Sequence, residues 1–267
     1  MNLVLREFRR NIKGLLGVTL TGCLLISLLA GLSAFLSQPQ REIIYNLLGR
    51  LPSQIRELYH IQQIENTEHL MAFIYQLIIP LGCVWAIYTS IKMISFEEKE
   101  GAISFLYSLP ISRQGILCYK VLSSIFQYLF FVLLTGLTAF LWFIPLEGNG
   151  FIPLSAAYSV MMLAGGTLME GAIYLFVGLL YAMKPNAVKR PFLSGLTLYI
   201  TSYAIGIAAQ TVQRLEILRY LSPYTYAVPW KVLQQGIAPI EFALSFAIIF
   251  MCIGLALFIY RRKKLVL

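Results

Sequence analysis

Six long apolar runs follow one another along the chain, and most of its charged residues gather in the gaps between them. The runs fall at 15–36, 70–94, 121–144, 152–183, 192–211 and 241–260. About 20 apolar residues make a helix long enough to cross a hydrocarbon layer of roughly 30 Å, and a helix satisfies its own backbone polar groups there. The pattern predicts an all-α polytopic membrane protein with one transmembrane domain over 1–267, six spans, and both termini on one side. A composition of 58% hydrophobic and only 12% charged residues excludes a soluble globular chain of this length.

Basic residues set the orientation, because lysine and arginine accumulate in short cytoplasmic segments. With the termini inside, 15 of the 21 basic residues fall on inner segments and 6 on outer ones. Both termini are therefore expected to be cytoplasmic. The same gradient accounts for the net charge of +9 without nucleic acid as a partner. The apolar run at 15–36 is longer than the core of a secretory signal, so it is expected to stay as the first span.

The polar punctuation predicts further elements. Within residues 1–14, Leu5, Phe8 and Ile12 recur at helical spacing, with Arg6, Arg9, Arg10 and Lys13 around the remaining face. This pattern predicts an amphipathic helix lying on the inner leaflet, against membrane lipids, before the chain turns into the first span. An ordinary flanking anchor fits the same residues. Between the first two spans, Ile43, Ile44, Leu47, Leu48 and Leu51 at helical spacing predict one or two surface helices. The segment between the fifth and sixth spans carries Ser222, Pro223, Tyr224, Pro229 and Trp230, a set of aromatics and prolines that predicts an interfacial or re-entrant hairpin.

Candidate chemistry is sparse. All 12 acidic residues are glutamate, which removes aspartate-based chemistry, and no Gly-x-x-x-x-Gly-Lys-Ser/Thr frame exists to hold ATP. Neither His60 nor His69 stands at metal-helix spacing, so no metal site and no cofactor on this chain are expected. Cys23, Cys83, Cys118 and Cys252 read as packing residues rather than a disulfide framework. Glu170 is the ionisable residue deepest in a span, four to five residues after Gly165 and Gly166. A charge there is costly and must face protein or water. It is either a lining group of a polar path or a hydrogen-bonded glutamate at a kink or a dimer contact.

The block at 96–120 differs from its surroundings. Glu97, Glu98 and Glu100 are placed to start a helix, where its dipole favours acidic groups. Gly101 follows, then Ile103, Leu106 and Tyr107 on one side, and Pro110 ends the helix. Ser112 is placed to cap the next one, beginning at Arg113 and running through Lys120 into the third span. A capped connector between two spans explains these residues; so does a docking surface.

Glu98, Gly101, Leu106, Ser108, Pro110, Ser112, Arg113 and Lys120 together resemble the signature of ABC-2-type transporter permeases. The six-span layout, the amphipathic start and Ser222-Pro223-Tyr224 are similar too. Ala102 departs from the threonine that the family often carries. The resemblance implies a permease that pairs with a second permease, identical or related, and docks a separate ABC ATPase subunit through a coupling helix at 96–120. ATP and Mg would then sit on the partner, this chain would be no enzyme, and its place would be a prokaryotic plasma membrane, with export as the direction. Glu97, Glu98 and Glu100 would meet basic groups of the ATPase or Arg6, Arg9 and Arg10, while Ile103, Leu106 and Tyr107 would fill a pocket. Two other readings fit the sequence: a membrane anchor that recruits a cytoplasmic partner without transport, and an integral-membrane enzyme using Glu170.

Overall fold

The computed structural model describes residues 3–36, 43, 46–47, 49–52, 56, 66–100, 113–147, 154–184 and 190–262. The long helices are α1 (Leu3–Phe35), α2 (Thr67–Glu100), α3 (Arg113–Glu147), α4 (Leu154–Tyr181), α5 (Pro191–Thr211) and, after a short helix α6 (Pro229–Gln235), α7 (Pro239–Arg262). Among the described residues, the six long ones are long and apolar enough to cross a membrane. Three of the helices start on proline at Pro191, Pro229 and Pro239, where the missing N–H is one the first turn would leave unpaired anyway.

The helices sort by how much protein surrounds them. In the span of α2, 67% of positions are buried inside the protein, against 17% in α7, so α2 is central and α7 faces mostly outward. Two parallel pairs organise the bundle. In the first, Gly22 of α1 faces Phe131 and Thr135 of α3, Gly31 faces Trp142, and the Trp142 indole donates to Ser27 Oγ at 3.0 Å. In the second, Ser159 of α4 donates to Glu68 of α2 at 3.0 Å, and Gly178 lies directly over the Ile87 backbone. Hydrocarbon is as apolar as leucine, so close approach at small residues and interhelical hydrogen bonds hold such pairs together.

Two local features differ from the reading of the sequence. Within the segment 1–14, expected to lie on the membrane surface and then turn, residues 3–14 instead form the first turns of α1, which runs unbroken through Gly14 and Gly17. At about 1.5 Å per residue α1 is roughly 50 Å long, more than a hydrocarbon layer requires. In its first turns Leu5 and Ile12 point outward while Glu7 and Asn11 are buried, so the buried face here is the polar one.

The second difference concerns Glu97, Glu98 and Glu100, which end a helix rather than start one. No glycine or proline stands between Ile94 and Glu100, so nothing there breaks the helix and α2 continues through these residues. Through the Gly165-Gly166 pair α4 continues as one helix. Helix α3 is described from Arg113 onward, and Pro110 and Ser112, expected to end one helix and cap the next, lie outside the described residues. Most of 37–65, with the surface helices expected there, lies outside the described residues.

Candidate functional site

A hydrogen-bonded polar construction is built where the chain between α5 and α7 folds back into the bundle. After Thr211 the backbone forms two stretches of 3-10 helix, Gln213–Leu221 and Pro223–Thr225, then α6, which Gly236 terminates at φ 72°. Residues 222–229 are all buried. An irregular segment can be buried only if its polar groups find partners. Thr225 Oγ1 donates to the Arg219 carbonyl at 2.7 Å and lies 2.8 Å from that of Ser222, and the Tyr226 hydroxyl donates to the Tyr220 carbonyl. Burial, helped by the nearby Glu241 charge, raises the Tyr226 phenol above its usual range and keeps it a donor.

This segment is keyed to three spans. Gln76 of α2 donates to the Tyr224 hydroxyl at 3.3 Å, and the ring of Tyr224 stands edge-on to Tyr203 of α5 at 4.6 Å between centroids. Gly206 of α5 makes room for it: a Cβ there would fall 2.8 Å from Tyr224 and 2.9 Å from Ser222 Oγ. Ser222 Oγ donates to the Ser202 carbonyl at 2.7 Å, which leaves the Ser202 hydroxyl to donate to Ser222 Oγ at 3.2 Å and to accept from Tyr174 of α4 at 2.7 Å. The chain of donors therefore runs in one direction, from Tyr174 through both serines to a backbone carbonyl. Pro80 lies one turn below Gln76 and supplies no N–H to its carbonyl.

Glu170 lies deeper on α4 and is 1% exposed. Its Oε1 is 3.9 Å from the Cys83 thiol of α2, a weak contact, and among the described residues it forms no ion pair. Next to it the Tyr128 ring of α3 packs against Gly171, and the Tyr128 hydroxyl donates to the Thr167 carbonyl at 2.8 Å. The carboxyl is thus enclosed by side chains of one subunit. Gly166 packs against Ala227 of the inserted segment, whereas Gly165 has nothing within 4 Å of where its Cβ would be.

At the opposite end of the bundle, α2 and α3 extend past their apolar parts and flank residues 101–112. Lys120 is buried and donates across to the Met93 carbonyl of α2 at 2.8 Å, while the Ser124 hydroxyl meets the Met93 sulfur. Of the residues the sequence singled out here, Gly101, Ile103, Leu106, Tyr107 and Pro110 lie outside the described residues. Glu97, Glu98, Glu100 and Arg113 are placed as helix termini by the backbone alone. Arg6 and Arg9 are exposed, Phe8 is half-buried, and Arg10 pairs with Glu7 one turn earlier at 2.5 Å.

The sequence reading missed Gln76, Tyr128, Tyr174 and Ser202. A signal was present: Lys120, Ser123, Ser124, Gln127, Tyr128 and Thr135 recur at helical spacing inside an apolar run, and all are buried. In a membrane helix a polar stripe turns toward protein. The four cysteines are free.

A model of the ABC-2 family transporter proteins matches residues 1–265, almost the whole chain. The chain belongs to the ABC-2 transporter family. No curated protein matches it. An ABC-2 permease is a multi-pass membrane subunit of a transporter, and the all-helical architecture, with six helices long and apolar enough to cross a membrane, agrees. In this ABC-2 chain the Ser222-Pro223-Tyr224 segment is a buried part of the bundle.

Proposed function

We propose that this permease is the membrane subunit of an ATP-driven exporter in a prokaryotic plasma membrane. It pairs with a second permease, a copy or a relative, and two separate ATPase subunits hydrolyse ATP with Mg. The family match over residues 1–265 carries this reading. The lack of any phosphate-binding Gly-x-x-x-x-Gly-Lys-Ser/Thr frame supports a separate ATPase.

The flanks of residues 101–112 support a mechanical role for that segment. Helices α2 and α3 both run continuously from it into the bundle, and the Lys120 bond to Met93 ties them where they converge. A push on the connector is then delivered to two rigid rods rather than absorbed in a loop. Here Gly101 and Pro110 bound the docking element, Ile103, Leu106 and Tyr107 are its apolar anchors, and Glu97, Glu98, Glu100 and Arg113 are its charged rim. Buried anchors dominate the affinity of such contacts, and exposed ion pairs contribute about 0.2–1 kcal/mol each.

The test is mild-detergent affinity purification from the native cell with identification of stoichiometric partners and an ATP-hydrolysis assay. Wild type is expected to bring down a soluble ATPase, Leu106→Glu to lose it, and Glu97→Gln to retain it. Retention and transport intact in Leu106→Glu would exclude docking through this element. A chain that arrives alone and inert would favour the anchor or enzyme readings.

A further inference from the structure

We infer that a cleft beside α6, on the face of the bundle opposite the chain termini, binds the phosphate group of an amphiphile at the membrane surface. The cleft encloses about 550 Å³. Among the described residues its wall presents two cations, Arg219 and Lys231, the amides of Gln210 and Gln235, the Thr225 side chain and the Trp230 indole, and no carboxylate.

The charge at this wall is unbalanced by construction. Glu241 lies behind it, 2% exposed, and holds both cations through one oxygen, with Arg219 Nη2 at 2.7 Å and Lys231 Nζ at 2.5 Å. Among the described residues one carboxylate faces two cations, so one positive charge is left over at the cleft. A guanidinium carries five N–H groups and an ammonium three, and the bonds to Glu241 use one of each. Because both nitrogens touch the same oxygen, they lie within about 5 Å of each other, a separation that two oxygens of one phosphate bridge. Buried Glu241 fixes the pair in place, so a ligand meets a site already assembled.

Depth selects an amphiphile over a free ion. Gln210 is next to the last residue of α5, and Glu241 sits in the first turn of α7, so the cleft opens where the spans end and headgroups begin. Trp230, Val228 and Ala209 supply an apolar floor beside the cations, which suits the carbon adjacent to a headgroup phosphate. A phosphodiester headgroup with one net negative charge and no cation of its own matches the single surplus cation. The site stands apart from the transport reading, since lipid binding here requires no ATPase.

Native mass spectrometry of the purified full-length protein, with any subunits it retains, tests the site. Phosphatidylglycerol, phosphatidylcholine and inorganic phosphate serve as the three probes. The first phosphatidylglycerol is expected to bind about tenfold more tightly than phosphatidylcholine, from one desolvated charge pair. Arg219→Gln and Lys231→Gln are each expected to lose most of that preference, while Lys92→Gln, at the opposite end of the bundle, keeps it.

Removing a Glu241 partner disturbs the fold as well, so Gln235→Glu and Gln235→Lys supply a second reading. Gln235 is exposed on the cleft wall, and neither change touches the Glu241 cluster. The acid is expected to weaken phosphatidylglycerol binding and the base to strengthen it. Equal binding of the two lipids, or no response to either Gln235 change, would overturn the proposal. Displacement of phosphatidylglycerol by inorganic phosphate at equal concentration would show an ion site and overturn the assignment to an amphiphile.

Discussion

Gly171→Ala is expected to leave little folded protein, although it adds one methyl group to a helix that alanine favours. The new Cβ would lie 1.9 Å from both Cζ and the hydroxyl oxygen of Tyr128. The ring cannot swing away cheaply, because it is 2% exposed and its hydroxyl is bonded to the Thr167 carbonyl at 2.8 Å. Overpacking of this kind costs about 1–3 kcal/mol, and a lost hydrogen bond adds roughly 1 kcal/mol. Together these are a large share of a typical domain's stability.

The neighbouring Gly165→Ala should be at or above wild type by up to about 1 kcal/mol, since only helix propensity changes there. Thermal midpoints by fluorescence-detected size exclusion would separate the two. Shortening the ring is expected to remove the conflict, so Gly171→Ala with Tyr128→Leu should be no less stable than Tyr128→Leu alone. Gly171→Ala at wild-type stability would mean that Tyr128 does not pack as described.

The second large effect is expected at Glu170, and it depends on the substituent. Glu170→Lys should abolish the folded protein, and Glu170→Gln should leave stability within about 1 kcal/mol of wild type. The site offers the carboxyl one weak donor, the Cys83 thiol at 3.9 Å, and no cation among the described residues. An amide accepts the same contact without a charge. An ammonium brings a charge that the enclosure cannot pair, at a cost of at least ~3 kcal/mol. In reconstituted vesicles with the ATPase present, Glu170→Gln is expected to keep transport. A folded Glu170→Gln that hydrolyses ATP but moves nothing would instead make the carboxyl a pathway group.

Both effects lie at positions the sequence marks only in part. Glu170 stands out because it is an ionisable residue in an apolar run, but whether it faces a lumen or a packed interior depends on α2 and α3, far away in the chain. Gly165 and Gly166 look equivalent in sequence. One faces outward with nothing beside it and the other carries Ala227, a difference set by rotation of α4 about its axis. Gly171, one step past Glu170, gives no local sign that a tyrosine from another helix fills the space it leaves.

The glutamates at 97–100 show the limit from another side. Acidic residues near a charged gap suggest a helix start, yet strong helix formers right after an apolar run extend the run's own helix. The N-terminal segment repeats this: its amphipathic pattern is correct as a helix, and the expected turn at 14 is missing because no proline or paired breaker forces one.

The sequence by itself determined that this chain is helical, that it has six segments long and apolar enough to cross a membrane, that the connector at 96–120 is the part unlike the rest, and that the family is ABC-2. These follow from one-dimensional quantities: the length of apolar runs against the thickness of hydrocarbon, the placement of charge, and a motif. Tertiary structure alone decided that α2 is the central helix, that residues 222–229 are buried and hydrogen-bonded into the bundle, and that Arg219 and Lys231 converge on one oxygen of Glu241. In a chain where nearly every span is apolar all round, hydrophobicity does not say which face meets a neighbour. Small residues and scattered hydroxyls make that choice through contacts between segments distant in the chain, and only the folded bundle brings them together.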